Sequence, residues 1–260
     1  VRGTTPGTVL DALRDGDHDA VVGTTRSGAI AGTLVSAVTG VPLVVDHVDP
    51  IRQLRETHPD WLATLVRWFE DVAFWRADRV LFVYDEEAGR IRRFADVSRA
   101  TDLGVDFDRV ATPDQRIRDL AHSRLAAESL EEHVAIYVGG LEPIYHVETM
   151  LAAVDHLDDW SLVVLGTGSL EPEVERAARE RDGVVFLGSV PHEEVPGYLH
   201  AADVGVCLVD DPRTLKVLEY GAAGLPTVHL DGRSRTRFGD RVEYCEADPE
   251  SVAAAIRRAG

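Results

Sequence analysis

Short apolar runs alternate with stretches of helical periodicity along most of the chain, and this alternation predicts βαβ units and parallel sheets. The first hundred residues contain two predicted helices, at 28–38 and 61–75. Residues 101–106 are typical of a strand end and loop, and the polar stretch 108–132 is interpreted as a connection between domains. The predicted strands of this part are β-branched runs at 19–23, 42–45 and 79–83.

A second series of the same kind follows the polar stretch. Its predicted strands are 134–138, 161–165, 184–187, 204–208, 227–230 and 241–244. Its predicted helices are 147–157, 171–181, 193–201, 215–223 and 249–258. The pattern therefore predicts an α/β fold with two Rossmann-like domains, over 1–111 and 112–260. Ligands of such sheets bind at the carboxyl ends of the strands, so four loops are expected to converge: 139–142, 166–169, 188–192 and 210–216.

The first domain is expected to be incomplete. Its three predicted strands are fewer than a parallel half-domain normally has, and the chain starts with Val1 rather than Met. We therefore expect one or two βα units to be missing before Val1, either because the chain is a fragment or because it is a shortened relative of a larger protein.

Charge and cysteine content exclude several classes of function. The 260 residues include 27 Lys+Arg and 45 Asp+Glu, for a net charge of −18, and Lys216 is the only lysine. This charge disfavours a general nucleic-acid binder and membrane attachment through a polybasic patch. No apolar run reaches the ~18 residues of a transmembrane helix.

Two cysteines, Cys207 and Cys245, indicate buried thiols in a reducing, cytoplasmic compartment. The excess of acid with almost no lysine predicts a halophilic source.

Candidate chemistry is concentrated in residues 211–226, which read Asp-Pro-Arg-Thr-Leu-Lys-Val-Leu-Glu-Tyr-Gly-Ala-Ala-Gly-Leu-Pro. Asp211 lies in a loop, and Glu219 lies inside a helix predicted to start near Thr214. The free N–H groups at such a helix start carry the positive end of the dipole and can receive a diphosphate. Lys216 could neutralise a phosphate there, and Glu219 could accept hydrogen bonds from a ribose diol.

Structural roles stay open for the same residues. Asp211 could have a purely structural role as the helix cap, since Asp is favoured at N-caps. Glu219 could be a capping or ion-paired residue of the helix. Lys216 could be a solvated residue of the same helix. The short glycine turn at 166–168 could be purely structural, and the arginines of the 233–237 loop could be solvated.

These residues resemble the retaining, nucleotide-sugar-dependent glycosyltransferases of the GT-B type, in the large family 4 (group 1). The family's paired-acid pattern is Glu-Pro-Phe-Gly followed by four residues and Glu, and it is similar to 211–214 with Glu219. The segment 165–170 resembles the family's strand-end glycine turn. Residues 186–195 and 201–204 are equally typical, and 40–44 and 76–80 resemble the acceptor domain.

The resemblance implies transfer of a sugar from a nucleotide-diphosphate donor to a glycan or lipid-linked acceptor with retention, as in polysaccharide biosynthesis. It implies no metal and no cofactor. By resemblance, Glu219 would bind the donor ribose, Asp211 would lie by the transferred sugar, and Val190 would pair with the base. Further donor contacts are implied for the backbone of Arg213, Thr214 and Leu215, for the turn residues Gly166 and Gly168, and for Gly139 and Gly140, which would leave room for the diphosphate.

Two departures from the family pattern change the expected source of positive charge. The family usually has Arg after the first strand-end Gly and Lys five residues later, both on the diphosphate. This chain has Gly140 and Tyr145 there. The cation must then come from Lys216, from Arg213 or from the 233–237 loop, and Lys216 is preferred because the chain otherwise lacks lysine. The same departures favour an alternative, a catalytically silent nucleotide-sugar-binding or scaffold subunit. A sugar-nucleotide epimerase of the same fold is a further alternative.

Acceptor contacts are expected after the second predicted strand. The segment 46–50 reads Asp-His-Val-Asp-Pro, and the family often has a His-Asp pair in this region. His47 and Asp49 are therefore acceptor-side candidates. The alternative is an ordinary loop histidine followed by a turn that starts at Asp49-Pro50.

Three tryptophans recur every seven residues, at Trp61, Trp68 and Trp75. A stripe of this period drifts only ~20° per heptad on a helix. The pattern predicts a helix that faces the core. The alternative is a surface for a lipid-linked acceptor, with peripheral contact at the inner face of a membrane, because indole rings favour membrane interfaces.

Overall fold

A computed structural model describes residues 6–260, except for the side chains of residues 56 and 57. The chain forms two units, Val1–Leu103 and Gly104–Gly260. The predicted boundary at 111/112 lies eight residues further along the chain. The difference is the helix Phe107–Ala111, whose Val110 is buried in the core of the second unit. Its flanking polar residues hid this helix in the sequence.

The first unit has a parallel sheet in the order β1-β2-β3-β4. The strands are β1 Val21–Thr24, β2 Leu43–His47, β3 Arg79–Phe82 and β4 Ser98–Ala100. The helices are α1 Pro6–Asp15, α2 Thr25–Thr39, α3 Ile51–Thr57, α4 Asp60–Arg76 and α5 Ala88–Phe94, with a 3-10 turn at Asp85–Glu87. The expectation of three strands missed β4, because its Ser-Arg-Ala sequence has no buried residue and so no apolar signal.

Close packing of α2 on β1 depends on glycine. A Cβ at Gly23 would lie 2.6 Å from the carbonyl oxygen of Gly28. The helix can therefore begin directly against the strand. Leu43 and Val45 of β2 are fully buried in the core that results, and Phe74 of α4 completes it.

The tryptophan stripe of α4 does not face the core, so that prediction is wrong. Trp61, Trp68 and Trp75 are 68%, 58% and 68% exposed. The buried side of the helix carries Ala63, Glu70, Ala73 and Phe74 instead. Two alanines let α4 approach its neighbours closely, while Phe74 fills the core, so the large indoles are left on the opposite face.

The second unit has a six-stranded parallel sheet in the order β10-β9-β8-β5-β6-β7. The strands are β5 His133–Val138, β6 Trp160–Leu165, β7 Val184–Gly188, β8 Val204–Cys207, β9 Thr227–Leu230 and β10 Glu243–Cys245. The helices are α6 Phe107–Ala111, α7 Gln115–Leu125, α8 Val147–Ala153, α9 Glu171–Glu180, α10 Val195–Leu199, α11 Leu215–Ala222, α12 Arg235–Phe238 and α13 Pro249–Ala259. The predicted α/β class with two Rossmann-like sheets is confirmed.

The strand order positions the candidate site. The chain moves outward from β5 through β6 to β7, and then returns to β8 on the other side of β5. Ligands of open α/β sheets bind at such a switch point, beyond the carboxyl ends of the strands. The loops that follow β5 and β8 therefore border the expected crevice. No helix in the described part of the chain is long and apolar enough to span a membrane.

Candidate functional site

Asp211 shapes the loop between β8 and α11. Its side chain is almost fully buried, and Oδ1 accepts a hydrogen bond of 2.8 Å from the N–H of Arg213. The loop leads to Thr214, the N-cap of α11, whose side chain makes no capping hydrogen bond. The first N–H groups of α11, at Leu215 and Lys216, are therefore not satisfied by that side chain. Asp211 orders the turn, and the helix start behind it stays available to an anion.

Lys216 extends from the first turn of α11 to the end of β5. Its Nζ lies 4.2 Å from the ring centroid of Tyr145 and 5.6 Å from that of Tyr137. Among the described residues, none of the ion pairs involves this ammonium group; its close contacts are the two aromatic rings. Burial lowers the pKa of Lys216, while Cys207 and Glu219 act in the opposite direction. The only lysine is thus a half-buried cation that no carboxylate neutralises at contact distance.

Gly139 makes room for this lysine. A Cβ at Gly139 would overlap Cε of Lys216 and would lie 2.8 Å from its Nζ. At Gly140, a Cβ would come within 3.3 Å of the Tyr145 ring, and the hydroxyl of Tyr137 donates a 2.6 Å hydrogen bond to the Gly140 carbonyl. The space that a Cβ of residue 139 would occupy is therefore filled by the Lys216 side chain. Room for the diphosphate at Gly139 and Gly140, which the resemblance implies, stays a prediction.

Gly166 and Gly168 join two strand-end loops. A Cβ at Gly166 would overlap the carbonyl oxygen of Gly139, and one at Gly168 would lie 2.6 Å from the backbone nitrogen of Leu141. The N–H of Leu141 donates to the carbonyl of Thr167 at 2.9 Å. These glycines let the loops after β5 and β6 pack backbone to backbone, which is the structural role that the sequence left open. Their contact with a donor stays a prediction.

Glu219 lies one turn beyond Lys216, and two residues that sequence reasoning missed surround it. Its side chain is 17% exposed, and Oε1 lies 3.8 Å from Nε2 of His192. Nη2 of Arg109 lies 2.9 Å from the same Nε2. Burial raises the pKa of Glu219, while His192, Lys216 and Arg109 oppose the shift.

The sequence held a weak signal for one of these residues. His192 stands in the 186–195 segment, two positions after Val190, which lies in the loop that follows β7. Arg109 stands in the stretch interpreted as a connection, where no pattern marked it. Arg109 approaches Glu219 because α6 belongs to the second unit and packs beside α11, and His192 approaches it from the loop between β7 and α10.

Two arginines of the 233–237 loop, Arg233 and Arg235, are neutralised locally. Nε of Arg233 lies 3.0 Å from Oδ2 of Asp210, and its N–H donates to Oδ1 at 2.7 Å. Arg235 pairs with Asp231 and lies 4.2 Å from the ring centroid of Tyr244. Their charge is engaged by neighbouring carboxylates, so Arg233 and Arg235 are poorer candidates for a diphosphate than Lys216.

The acceptor-side candidates differ from each other in burial. His47 ends β2 and is 2% exposed, with Nδ1 4.0 Å from Oε1 of Glu70 and Nε2 3.6 Å from Oε2 of Glu87. Asp49 lies in the loop that follows and is partly exposed. An acceptor can therefore reach Asp49 more readily than His47. In the described residues, no group of three or more His, Cys, Asp and Glu side chains is arranged to hold a metal ion.

Several solved structures are similar to this chain. The chain is similar in structure to Anabaena Alr3699/HepE, solved in complex with UDP-glucose, with a TM-score of 0.76 and 15% identity over 98% of this chain and 74% of that one. It is similar to a sucrose-phosphate synthase from Thermosynechococcus elongatus, with a TM-score of 0.73 and 18% identity over 97% and 68% of the two chains.

WaaG, a glycosyltransferase involved in lipopolysaccharide biosynthesis, gives a TM-score of 0.69 and 16% identity over 100% of this chain and 75% of that one. At these low sequence identities, the TM-scores show a shared GT-B fold and no more. No curated protein sequence matches the chain. Residues 132–259 match the family described as Glycosyl transferases group 1, and this segment contains β5 to β10, Lys216 and Glu219. Through that match, this segment of the chain belongs to the group 1 glycosyltransferases.

Proposed function

We propose that the protein transfers a sugar from a nucleotide-diphosphate donor to a glycan or lipid-linked acceptor with retention of configuration. One observation carries the proposal: among the residues that the structure describes, no carboxylate pairs with the ammonium of Lys216, although the chain has a net charge of −18. An unneutralised cation beside a helix start, at the switch point of a parallel sheet, suits an anionic ligand. The family match and the UDP-glucose bound to HepE support a nucleotide sugar as that ligand.

In the proposed complex, the diphosphate lies between Lys216 and the backbone N–H groups of residues 214 and 215 at the start of α11, while the N–H of Arg213 stays bonded to Asp211. The Glu219 carboxylate accepts hydrogen bonds from the ribose diol, and Asp211 holds the loop next to the transferred sugar. Val190 meets the base with its backbone. Negative charge grows on the diphosphate as the glycosidic bond breaks. Hydrogen-bond donors and a cation fixed beside the diphosphate stabilise the transition state more than the ground state, which is the requirement for catalysis.

Nucleotide release separates this function from the scaffold alternative. The protein is incubated with UDP-glucose and GDP-mannose, release is followed by chromatography, and the anomeric configuration of any product is read by NMR. We expect release from one donor and an axial linkage in the product, because both donors carry the nucleotide in the axial α configuration. Binding of a donor without release or transfer would favour the silent scaffold subunit.

We also propose that the indole face of α4, formed by Trp61, Trp68 and Trp75, contacts a lipid surface. The first unit carries 12 arginines and 16 acids, or −4, and the second carries 15 basic residues and 29 acids, or −14. Exposed indoles on the less acidic unit fit a lipid interface, where tryptophan is favoured.

Pelleting with phosphatidylglycerol–phosphatidylcholine vesicles tests this contact. The pair of substitutions Trp61→Ser and Trp68→Ser should reduce the pelleted fraction. Phe107→Ser, at an exposed aromatic residue of the second unit, should leave it unchanged. Equal pelleting of wild type and the double variant would contradict the contact.

A further inference from the structure

The first unit contains a buried cluster of charged side chains that the proposed transfer reaction does not use directly. We name it the ion cluster; its members are Arg26, His47, Glu70, Glu87 and Arg90, with Asp71 at its rim. The side chain of Glu70 is 0% exposed and that of Glu87 is 5% exposed. Charges are almost never buried in this way unless they are paired, so the cluster must have a structural or functional reason.

Arg90 neutralises the acids of the ion cluster. Its Nη2 donates to Oε2 of Glu70 at 2.9 Å, and its Nη1 donates to Oε2 of Glu87 at 3.0 Å. Nε donates to Oδ1 of Asp71 at 2.7 Å, while the guanidinium lies 5.2 Å from the ring centroid of Phe74. These bonds fasten α4, α5 and the turn after β3 to one another.

Two members of the ion cluster also hold the loop at residues 48–50. Nη2 of Arg26 donates to the carbonyl of Asp49 at 3.0 Å and to that of Pro50, while its Nε lies 3.2 Å from Oε1 of Glu70. Oε1 of Glu87 accepts the N–H of Ile51 at 3.1 Å. Arg26 thus holds the loop through its backbone carbonyls, and Glu87 holds it through the N–H of Ile51, the residue that follows.

The loop lies where a ligand of the first sheet is expected. Arg26 stands two residues after β1, His47 ends β2, and Glu87 ends the 3-10 turn that follows β3. Because the strands are parallel, these three ends share the carboxyl edge of the sheet, where such folds bind ligands. The ion cluster is too buried to touch a ligand, whereas Asp49 is partly exposed above it.

We propose that Arg26 and Glu87 are positioning residues for the acceptor. They fix the 48–50 loop so that the carboxylate of Asp49 accepts a hydrogen bond from a hydroxyl group of a sugar acceptor. His47 acts beneath the loop, between Glu70 and Glu87, and does not contact the acceptor. This inference rests on the proposed function, since it assumes that the first unit receives an acceptor.

Hydrogen exchange of the Ile51 amide tests the positioning without any need for activity. Arg26→Gln removes the charged donor to Asp49 and Pro50, so the Ile51 amide should exchange about tenfold faster or more. Arg92→Gln, at an exposed arginine of α5 outside the ion cluster, should leave this rate unchanged. Arg26→Lys keeps the charge and is the milder variant if Arg26→Gln unfolds. Unchanged Ile51 exchange in both Arg26 variants would overturn the proposal.

Kinetics then separate positioning from general damage. With UDP-glucose as donor and n-octyl β-D-glucoside as acceptor probe, Arg26→Gln should raise the KM for the acceptor about tenfold. The kcat and the KM for UDP-glucose should stay at the wild-type values. An equal rise in both KM values would overturn the proposal. A wild-type protein that binds neither UDP nor GDP would contradict the proposed function instead, and the Ile51 exchange would still report whether Arg26 holds the loop.

Discussion

The two sheets each carry a polar site at the carboxyl edge, and the sites differ in how their charges are neutralised. In the first unit, both guanidiniums of the ion cluster meet carboxylates within 3.2 Å. In the second, the ammonium of Lys216 meets aromatic rings, and Glu219 lies 3.8 Å from a histidine. A cluster that neutralises itself holds the chain in place. A half-buried charge without a partner is better explained by a ligand that brings the opposite charge.

The largest expected effect concerns stability and belongs to the first unit. Arg90→Met leaves Glu70 and Glu87 buried without their main partner, so the free energy of unfolding should fall by about 3–5 kcal/mol. Urea unfolding measures it. Arg92→Met, on the exposed side of the same helix, should change this free energy by less than ~0.5 kcal/mol. Similar losses for Arg90→Met and Arg92→Met would contradict a stabilising role of the ion cluster in the first unit.

Lys216 should show the opposite profile, with a large effect on the reaction and a small one on stability. Lys216→Met removes the cation that we propose stabilises the leaving diphosphate, and kcat/KM for the donor should fall about 10²- to 10³-fold. The urea midpoint should not fall, because no ion pair is lost. Lys216→Arg restores a cation and should recover part of the rate. A full wild-type rate in Lys216→Met would remove Lys216 from the reaction.

The pH dependence of stability sharpens the description of the ion cluster. Burial acts against ionisation of Glu87, but His47, the N–H of Ile51 and Arg90 together lower its pKa from 4.5 to about 2. A carboxyl whose pKa is depressed by folding stabilises the protein above its unfolded pKa, and this stability is lost as pH falls from 4.5 through 2.

The measurement is urea unfolding between pH 5 and 2. The lowered pKa corresponds to about 3 kcal/mol. Glu87→Gln should therefore flatten the acid dependence of the unfolding free energy by that amount. Parallel pH profiles for Glu87→Gln and wild type would mean that the carboxylate is not held as the structure indicates.

A smaller effect is expected from the contact between β5 and α11. Gly139→Ala places a methyl group against Lys216 and should displace its ammonium, which lowers kcat/KM about 10- to 100-fold although the lysine is still present. Gly139 also has a positive φ, so strain must be controlled. Gly224→Ala provides that control, because Gly224 has a φ of 72° and open space around it. Equal activity losses in both variants would assign the effect to strain.

The periodicity of the sequence predicted most strands and helices because buried parallel strands are β-branched runs. It failed where the cause was tertiary. The heptad of tryptophans in α4 has the pattern of a core helix, but Ala63, Ala73 and Phe74 on the other face pack better. Strand β4 was missed because no residue of it is buried.

The candidate site was predictable only in part. Lys216 could be singled out as a candidate because it is the only lysine of the chain and lies in a motif characteristic of the family. That it fills the space over Gly139 depends on side-chain packing across β5 and α11, which no local pattern encodes. The ion cluster draws its members from residue 26 to residue 90, through five separate elements. Pairings between charges so distant in sequence become visible only when the fold brings them together.

The most direct test of the unneutralised Lys216 compares UDP with uridine, which lacks the phosphates. Calorimetric titration of wild type and Lys216→Met with each ligand isolates the contribution of the diphosphate. We predict that Lys216→Met weakens UDP binding about tenfold or more and leaves uridine binding unchanged. Equal affinity of wild type and Lys216→Met for UDP would contradict it.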